Sequence, residues 1–196
     1  MEVTKSSAIK GLLRREVRAL MEDMTNQEKD LSDGALIAQF TQLPQLQKAE
    51  TVLLFYGVGQ EPGTAGLIER LLGEGKRVCL PRCLKDGIME ARQIRSLEEL
   101  SPGALHIPEP GEAAPLVPRE EIDLILAPAL CCDLEGYRLG QGGGYYDRYL
   151  DGYQGVTVSL CREEFLQSML PREAHDKPVT LVLTEEGIPS LEDENR

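Results

Sequence analysis

Five short apolar runs constrain this chain more than any other feature. They are TVLLFYGV from Thr51, RVCLP from Arg77, IDLILAPAL from Ile122, GVTVSL from Gly155 and TLVLTEEG from Thr180. Each is bounded by glycine, proline or polar residues and is too short for a helix that buries one face, so each reads as a buried strand. Pro81 is expected to stop the second run and Pro128 the third, and IMEARQI, from Ile88, is a further candidate strand. Helical spacing separates these runs. Ile9, Leu12, Leu13, Val17 and Leu20 repeat along a helix from about Ser7 to Met24, and a second helix is expected from Asn26 to Phe40, weakened by Gly34. GTAGLIERLLGEGK reads as a third, with Thr64 as N-cap and Gly73 and Gly75 near its end. HIPEPGEAAPLVPRE, from His106, is Pro-rich and reads as a loop. Strands alternating with helices imply an α/β fold with a largely parallel central sheet. The Pro-rich loop is the one candidate linker, but composition does not change across it, so residues 1–196 are read as one domain.

Composition narrows the partners. A chain of 196 residues can bury a core without disulfides or metal. A formal net charge of −12 argues against nucleic acid and acidic membrane surfaces, which need a basic field. Lys10, Arg14, Arg15 and Arg18 nevertheless cluster early, and the C-terminal LEDENR is acidic and expected to be frayed. The N-terminus has no uninterrupted apolar stretch and no run reaches membrane-spanning length, so a cytoplasmic protein is expected. The five cysteines lack paired zinc-ligand spacing and read as small buried hydrophobes.

In a parallel sheet, ligands bind beyond the carboxyl ends of the strands. Tyr56 and Glu61 follow the first strand, Arg82 the second, and LGQGGGYYDRYL (Leu139 to Leu150) the IDLILAPAL strand. Gly140, Gly142, Gly143 and Gly144 allow close approach to the backbone, and amides at a helix start bind anions with help from the helix dipole. Arg138 and Arg148 add positive charge, and Asp147 is a candidate ligand for Mg2+, which favours one or two carboxylates plus phosphate oxygens. The loop is neither a Walker A sequence nor a Gly-x-Gly-x-x-Gly fingerprint. On these grounds alone a structural turn stays as open as a phosphate cradle, with the tyrosines packing on the sheet and Asp147 pairing with Arg148 or Lys10.

GYRLGQGGGYYDRYL resembles the signature of the 5-formyltetrahydrofolate cyclo-ligases, Gly-x-Arg-Leu-Gly-x-Gly-x-Gly-Tyr-Tyr-Asp, at every fixed position. Further landmarks follow in order: KGLLR from Lys10, Glu61 and Thr64 in QEPGT, LPR at Leu80 to Arg82, Glu109 with Pro110, and His175 with Asp176. The resemblance covers nearly the whole chain. It implies a three-layer α/β/α, Rossmann-like domain, acting as a monomer with ATP and Mg2+. ATP would phosphorylate the formyl oxygen of 5-formyltetrahydrofolate, and ring closure would give 5,10-methenyltetrahydrofolate, ADP and phosphate. By the same resemblance Lys10, Arg14, Arg138 and Tyr145 are the catalytic candidates. Nucleotide would be held by Lys10, Arg14 and the run Leu139, Gly140, Gln141, Gly142, Gly143, Gly144, Tyr145, Tyr146 and Asp147. Folate would lie against Tyr56, Glu61, Met89, Tyr145 and Tyr146, and the metal would bind Asp147. Family members often carry a second metal-binding aspartate where this chain has Thr180, with Asp176 as its candidate substitute. A silent relative that binds nucleotide or folate, or an enzyme acting on another small substrate, are the alternatives.

Overall fold

The structure is a computed structural model that describes residues 5–103 and 106–189. The acidic C-terminal hexapeptide lies outside the described residues. Two long helices open the chain, α1 (Lys5–Asp23) and α2 (Asn26–Gln42). The second is started by a capping box. The Thr25 hydroxyl accepts from the Glu28 amide, while the Glu28 carboxylate accepts from the Thr25 amide. Gly34 meets open space and does not interrupt α2, whose cap and buried Leu36 and Phe40 outweigh one poor helix former. A short helix, α3 (Pro44–Lys48), follows, with Pro44 in its first turn, where no amide hydrogen is needed.

The expected strands form β1 (Thr51–Leu53), β2 (Arg77–Cys83), β6 (Leu124–Ala127), β9 (Val156–Leu160) and β11 (Leu181–Leu183), with β3 (Met89–Gln93) at one edge. The order is β11-β9-β6-β1-β2-β3, and all neighbours are parallel except β2 and β3. Side chains alternate between two cores, as period-two geometry requires. Val52, Val78, Leu80, Leu124 and Leu126 face α2, α3 and α4 (Ala65–Gly73). Leu53, Cys79, Ile125 and Ala127 face α1 and α5 (Tyr145–Leu150), so the sheet lies between two helical layers. No helix among the described residues is long and apolar enough to cross a membrane.

Three local expectations are corrected. Pro81 does not stop β2, which continues to Cys83 with Pro81 opposite Ala91. The β1 ladder ends opposite Cys79, so at Pro81 the strand pairs only with β3, and such an edge-like position tolerates a missing donor. The Pro-rich segment is not wholly loop. Pro108–Pro110 forms β5, antiparallel to β4 (Leu100–Pro102), and Leu116 makes one rung with Arg92. Glu109, between the two prolines, pairs with Ser101 and keeps its amide for the ladder. Thr64 does precede α4, but its side chain does not cap it. Its buried hydroxyl donates to the Phe55 carbonyl at 2.6 Å and accepts from the Gly57 amide at 3.0 Å, closing the loop after β1. Gly75 ends α4 in a left-handed conformation, its amide donating to the Leu72 carbonyl.

Between β1 and β6 the strand order reverses direction. Open α/β sheets bind ligands in the crevice at such a point, beyond the carboxyl ends of the strands.

Candidate active site

The loops that leave β1 and β6 diverge at this reversal and leave a cavity of about 480 Å3. After β6 the chain turns at Pro128 and forms a small hairpin, β7 (Cys131–Asp133) and β8 (Arg138–Leu139). Asp133 builds the turn. Fully buried, it accepts from the amides of Glu135, Tyr137 and Leu170 and from Arg172, each at 3.0 Å. β7 also pairs with β10 (Leu166–Gln167). β8 therefore leads Arg138 and Leu139 straight into the glycine loop at the cavity rim.

Gly142 has φ +102° and Gly144 φ +66°, conformations that cost other residues. Arg14 packs against the first, and a side chain at the second would press on Arg148. Arginines hold two of the loop carbonyls: Arg14 Nε donates to Gly140 at 2.8 Å and Arg148 Nη2 to Gly143 at 2.5 Å. Among the described residues none of the Gly140–Gly144 amides donates to a protein group. The helix behind the loop spans only Tyr145 to Leu150, so anion affinity rests on these open amides more than on a helix dipole.

The cavity gathers every residue that the family resemblance assigned to catalysis, nucleotide, folate or metal, but not Arg82 or Arg148. Lys10 and Arg14 come from α1, Tyr56 and Glu61 from the loop after β1, and Met89 from β3. Arg138 and Leu139 come from β8, Gly140 to Gly144 from the glycine loop, and Tyr145, Tyr146 and Asp147 from the first turn of α5. Of the basic row on α1, Lys10 and Arg14 face the site, while Arg18 is exposed at its rim. Lys10, 7% exposed, lies 2.5 Å from Asp176 and 3.2 Å from Glu173. Arg18 donates to the Gln141 side chain, whose amide donates to Glu61 at 3.1 Å. Glu61 also accepts from the Val58 amide and lies outside the first turn of α4. The glycine loop and the β1 loop thus touch across the cavity mouth.

Asp147 pairs with Arg138 at 3.3 Å, not with Arg148 or Lys10, and accepts from the Lys177 amide at 3.3 Å. Both contacts fall on Oδ1. The Tyr145 hydroxyl donates to the Leu84 carbonyl. The Tyr146 hydroxyl is shielded and has no hydrogen-bond partner among the described residues. Burial pushes its pKa up, so it is a neutral donor at the cavity wall. Arg82 lies within β2 and pairs with Glu112. Thr180 exchanges hydrogen bonds with Thr157 at the amino-terminal ends of β9 and β11 and does not line the cavity, whereas Asp176 does.

Several walls escaped the sequence reading. Glu109 is buried and accepts from the Cys83 amide at 3.2 Å. Cys83 is a half-buried cavity wall rather than core, while the other four free thiols are buried. Burial, then the Glu109 carboxylate, pushes the Cys83 thiol up to about 12, which makes it a poor nucleophile. Glu173 joins Asp176 around Lys10. The sequence marked Glu109 only as a landmark of the family resemblance, with no role in the site.

A model of the 5-formyltetrahydrofolate cyclo-ligase family matches residues 6–185. The chain is 37% identical over 150 residues to the 5-formyltetrahydrofolate cyclo-ligase of Mycolicibacterium smegmatis, spanning 72% of this chain and 77% of that one. It is 31% identical over 179 residues to the Escherichia coli K12 cyclo-ligase, spanning 88% and 96%. The solved 5,10-methenyltetrahydrofolate synthetase of Aquifex aeolicus superposes with a TM-score of 0.82 at 31% identity, covering 96% of this chain and 95% of that one. The Mycoplasma pneumoniae synthetase, at 20% identity, shares the fold with a TM-score of 0.71.

Proposed function

Because the chain belongs to the 5-formyltetrahydrofolate cyclo-ligase family, whose reaction is ATP-dependent, we propose that this cavity is where it closes 5-formyltetrahydrofolate to 5,10-methenyltetrahydrofolate. One observation carries the assignment of the cavity: a glycine loop with unpaired amides, a buried lysine and an aromatic, carboxylate-bearing wall converge on one crevice. In the reaction the formyl oxygen attacks the γ-phosphorus of ATP and ADP leaves. N10 then attacks the activated formyl carbon, and phosphate leaves as the ring closes. The substrate supplies both nucleophiles, so the protein's work is positioning and charge neutralisation.

Lys10 and Arg14, one helical turn apart, neutralise phosphate oxygens. Arg14 offers a planar fork and Lys10 a point charge held by Asp176 and Glu173. The Gly140–Gly144 amides donate to the same oxygens, and Arg138 and Tyr145 flank the transferring group. Leu139, Gln141, Tyr146 and Asp147 complete the nucleotide side. The positive φ of Gly142 and Gly144 shapes a turn whose amides donate to no protein group among the described residues, which supports its fit to phosphate. The donor set also suits Mg2+, which needs few protein ligands when phosphate oxygens supply the rest. With both protein contacts on Oδ1, the other oxygen of Asp147 is the ligand we assign. When bound, the ion would offset charge on the transferring phosphoryl group. On the opposite wall Tyr56, Met89, Tyr145 and Tyr146 enclose the pterin, and Glu61 accepts its N–H groups. A single-domain cytoplasmic monomer is the form we propose: one chain supplies every wall of the cavity, and five free thiols suit a reducing compartment.

The test is growth of methenyl-folate absorbance on mixing protein, 5-formyltetrahydrofolate and Mg-ATP. Asp147→Asn should lower the rate at least about tenfold. No signal from folded protein that binds ATP would favour a silent relative. Turnover unaffected by Asp147→Asn would remove that residue from the metal site.

A further inference from the structure

A buried ion pair lies just behind the folate wall and has no part in the chemistry above. Arg162, 3% exposed, follows β9, and its Nη2 lies 2.8 Å from Asp33 Oδ1 on α2, paired by charge without hydrogen-bond alignment. Both partners also grip the loop that leaves β1. Arg162 Nη2 donates to the Gln60 carbonyl at 3.1 Å, and Asp33 Oδ2 accepts from the Gly63 amide at 2.8 Å. These two anchors bracket Glu61 and Pro62. The pair is braced in turn. Lys29 bonds Asp33 at 2.5 Å, and Ser32 accepts from Arg162 Nη1 at 2.6 Å and donates to Glu185. Glu185 accepts from the Glu163 amide at 2.8 Å, beside Arg162 in sequence.

Stability alone is a weak reason to bury such a pair, because desolvation offsets much of the attraction. Geometry is a better one. Residues 57–63 have no regular secondary structure, and a side chain at Gly57 would overlap the Pro62 carbonyl, so the loop has one narrow path. The Glu61 carboxylate sits at its tip, shared between the Val58 amide and Gln141. A small shift of Gln60 or Gly63 would swing it away from the pterin side of the cavity.

We propose that Arg162 and Asp33 are positioning residues for folate recognition, holding the β1 loop at both shoulders so that the Glu61 carboxylate meets the pterin. The inference rests on the reading of Glu61 as the pterin acceptor. Neither residue lines the cavity or touches the nucleotide side, so their effect should be selective.

The test is the KM for 5-formyltetrahydrofolate and for ATP, measured separately in Asp33→Asn, Arg162→Lys, Glu61→Gln and the Asp33→Asn/Glu61→Gln double variant. Asp33→Asn keeps an oxygen for Gly63 but loses the charge, and should raise the folate KM about tenfold while the ATP KM stays within about twofold. Arg162→Lys, which keeps the charge but not the fork, should fall between Asp33→Asn and the parent. Once Glu61 is gone its placement no longer matters, so the double variant should match Glu61→Gln within about twofold. Equal rises in both KM values, or additive losses in the double variant, would overturn the inference and leave a structural ion pair. A selective effect of Glu61→Gln without one from Asp33→Asn would overturn it while sparing the reading of Glu61. An unchanged folate KM in Glu61→Gln would refute that reading, and the inference with it. If Asp33→Asn does not fold, Ser32→Ala, which removes an acceptor of Arg162 and the bond to Glu185 that braces it, should give the same selectivity at about threefold, and an unselective result there would overturn the inference.

Discussion

Replacing Asp133 should damage this protein more than replacing any residue that touches substrate. The side chain is fully buried, and both its oxygens are used twice. Oδ1 accepts from Glu135 and Tyr137, Oδ2 from Leu170 and Arg172. In Asp133→Ala the buried Leu170 amide loses its only side-chain acceptor, at a cost of about 1–3 kcal/mol. The partly exposed Glu135 and Tyr137 amides add about 0.5–1.5 kcal/mol each, and Arg172 little, because water reaches it. The total is about 4 kcal/mol, a large share of the ~5–15 kcal/mol that holds a domain folded. Asp133→Asn separates geometry from charge. Its oxygen can still serve Glu135 and Tyr137, but its NH2 then points at the Leu170 amide and Arg172, donor against donor, for about 3 kcal/mol. Urea unfolding at pH 7, followed by circular dichroism, measures both. A loss under about 1 kcal/mol in Asp133→Asn would refute the reasoning, since it would mean that the two bonds to Leu170 and Arg172 are lost at no cost. Because the hairpin feeds β8 into the glycine loop, the ATP KM should rise as well in any fraction that still folds.

Gly142→Ala should weaken ATP binding by about tenfold with little change in unfolding midpoint, since a side chain at φ +102° costs about 1–2 kcal/mol and the strain falls on an exposed loop; unchanged ATP affinity by titration calorimetry would contradict the cradle. Thr25→Ala should destabilise the protein by about 1 kcal/mol through loss of the α2 capping box, with turnover at low temperature unaffected. Alkali should weaken the fold well before it affects an unfolded chain. Burial raises Cys79 and Cys131 from 9.0 to about 12, so between those values the native state holds protons that the unfolded state has lost. Their stabilisation is complete below pH 9 and falls above it, by up to about 1.4 kcal/mol per pH unit for each thiol. Partly buried Tyr146, Tyr149 and Tyr153, also raised, steepen the fall above pH 10. A urea midpoint that stays flat from pH 8 to 11 would refute this.

The sequence by itself determined what local pattern can encode. Apolar runs and helical spacing marked the strands of the parallel sheet and three of its helices, because period and punctuation are properties of neighbouring residues. The glycine loop and its Tyr-Tyr-Asp sequel were readable for the same reason: a cradle followed by a helix is built from consecutive residues. What partners those elements take was decided only by tertiary structure. The pairing of Lys10 with Glu173 and Asp176 spans 163 and 166 residues, and that of Gln141 with Glu61 spans 80. The same holds for Pro81, which reads as a strand breaker until β3 is seen beside it, and for Glu109, a landmark of the resemblance whose place in the cavity wall follows from the pairing of its segment with β4. Thr64 carries the general lesson. Its position at a helix start is local, yet its hydroxyl closes the β1 loop instead of capping, because Phe55 and Gly57 stand nearer than the helix amides once the chain has turned. A hydrogen bond is won by whichever partner the fold brings within reach, and reach is set by the packing of the whole sheet rather than by any stretch of residues.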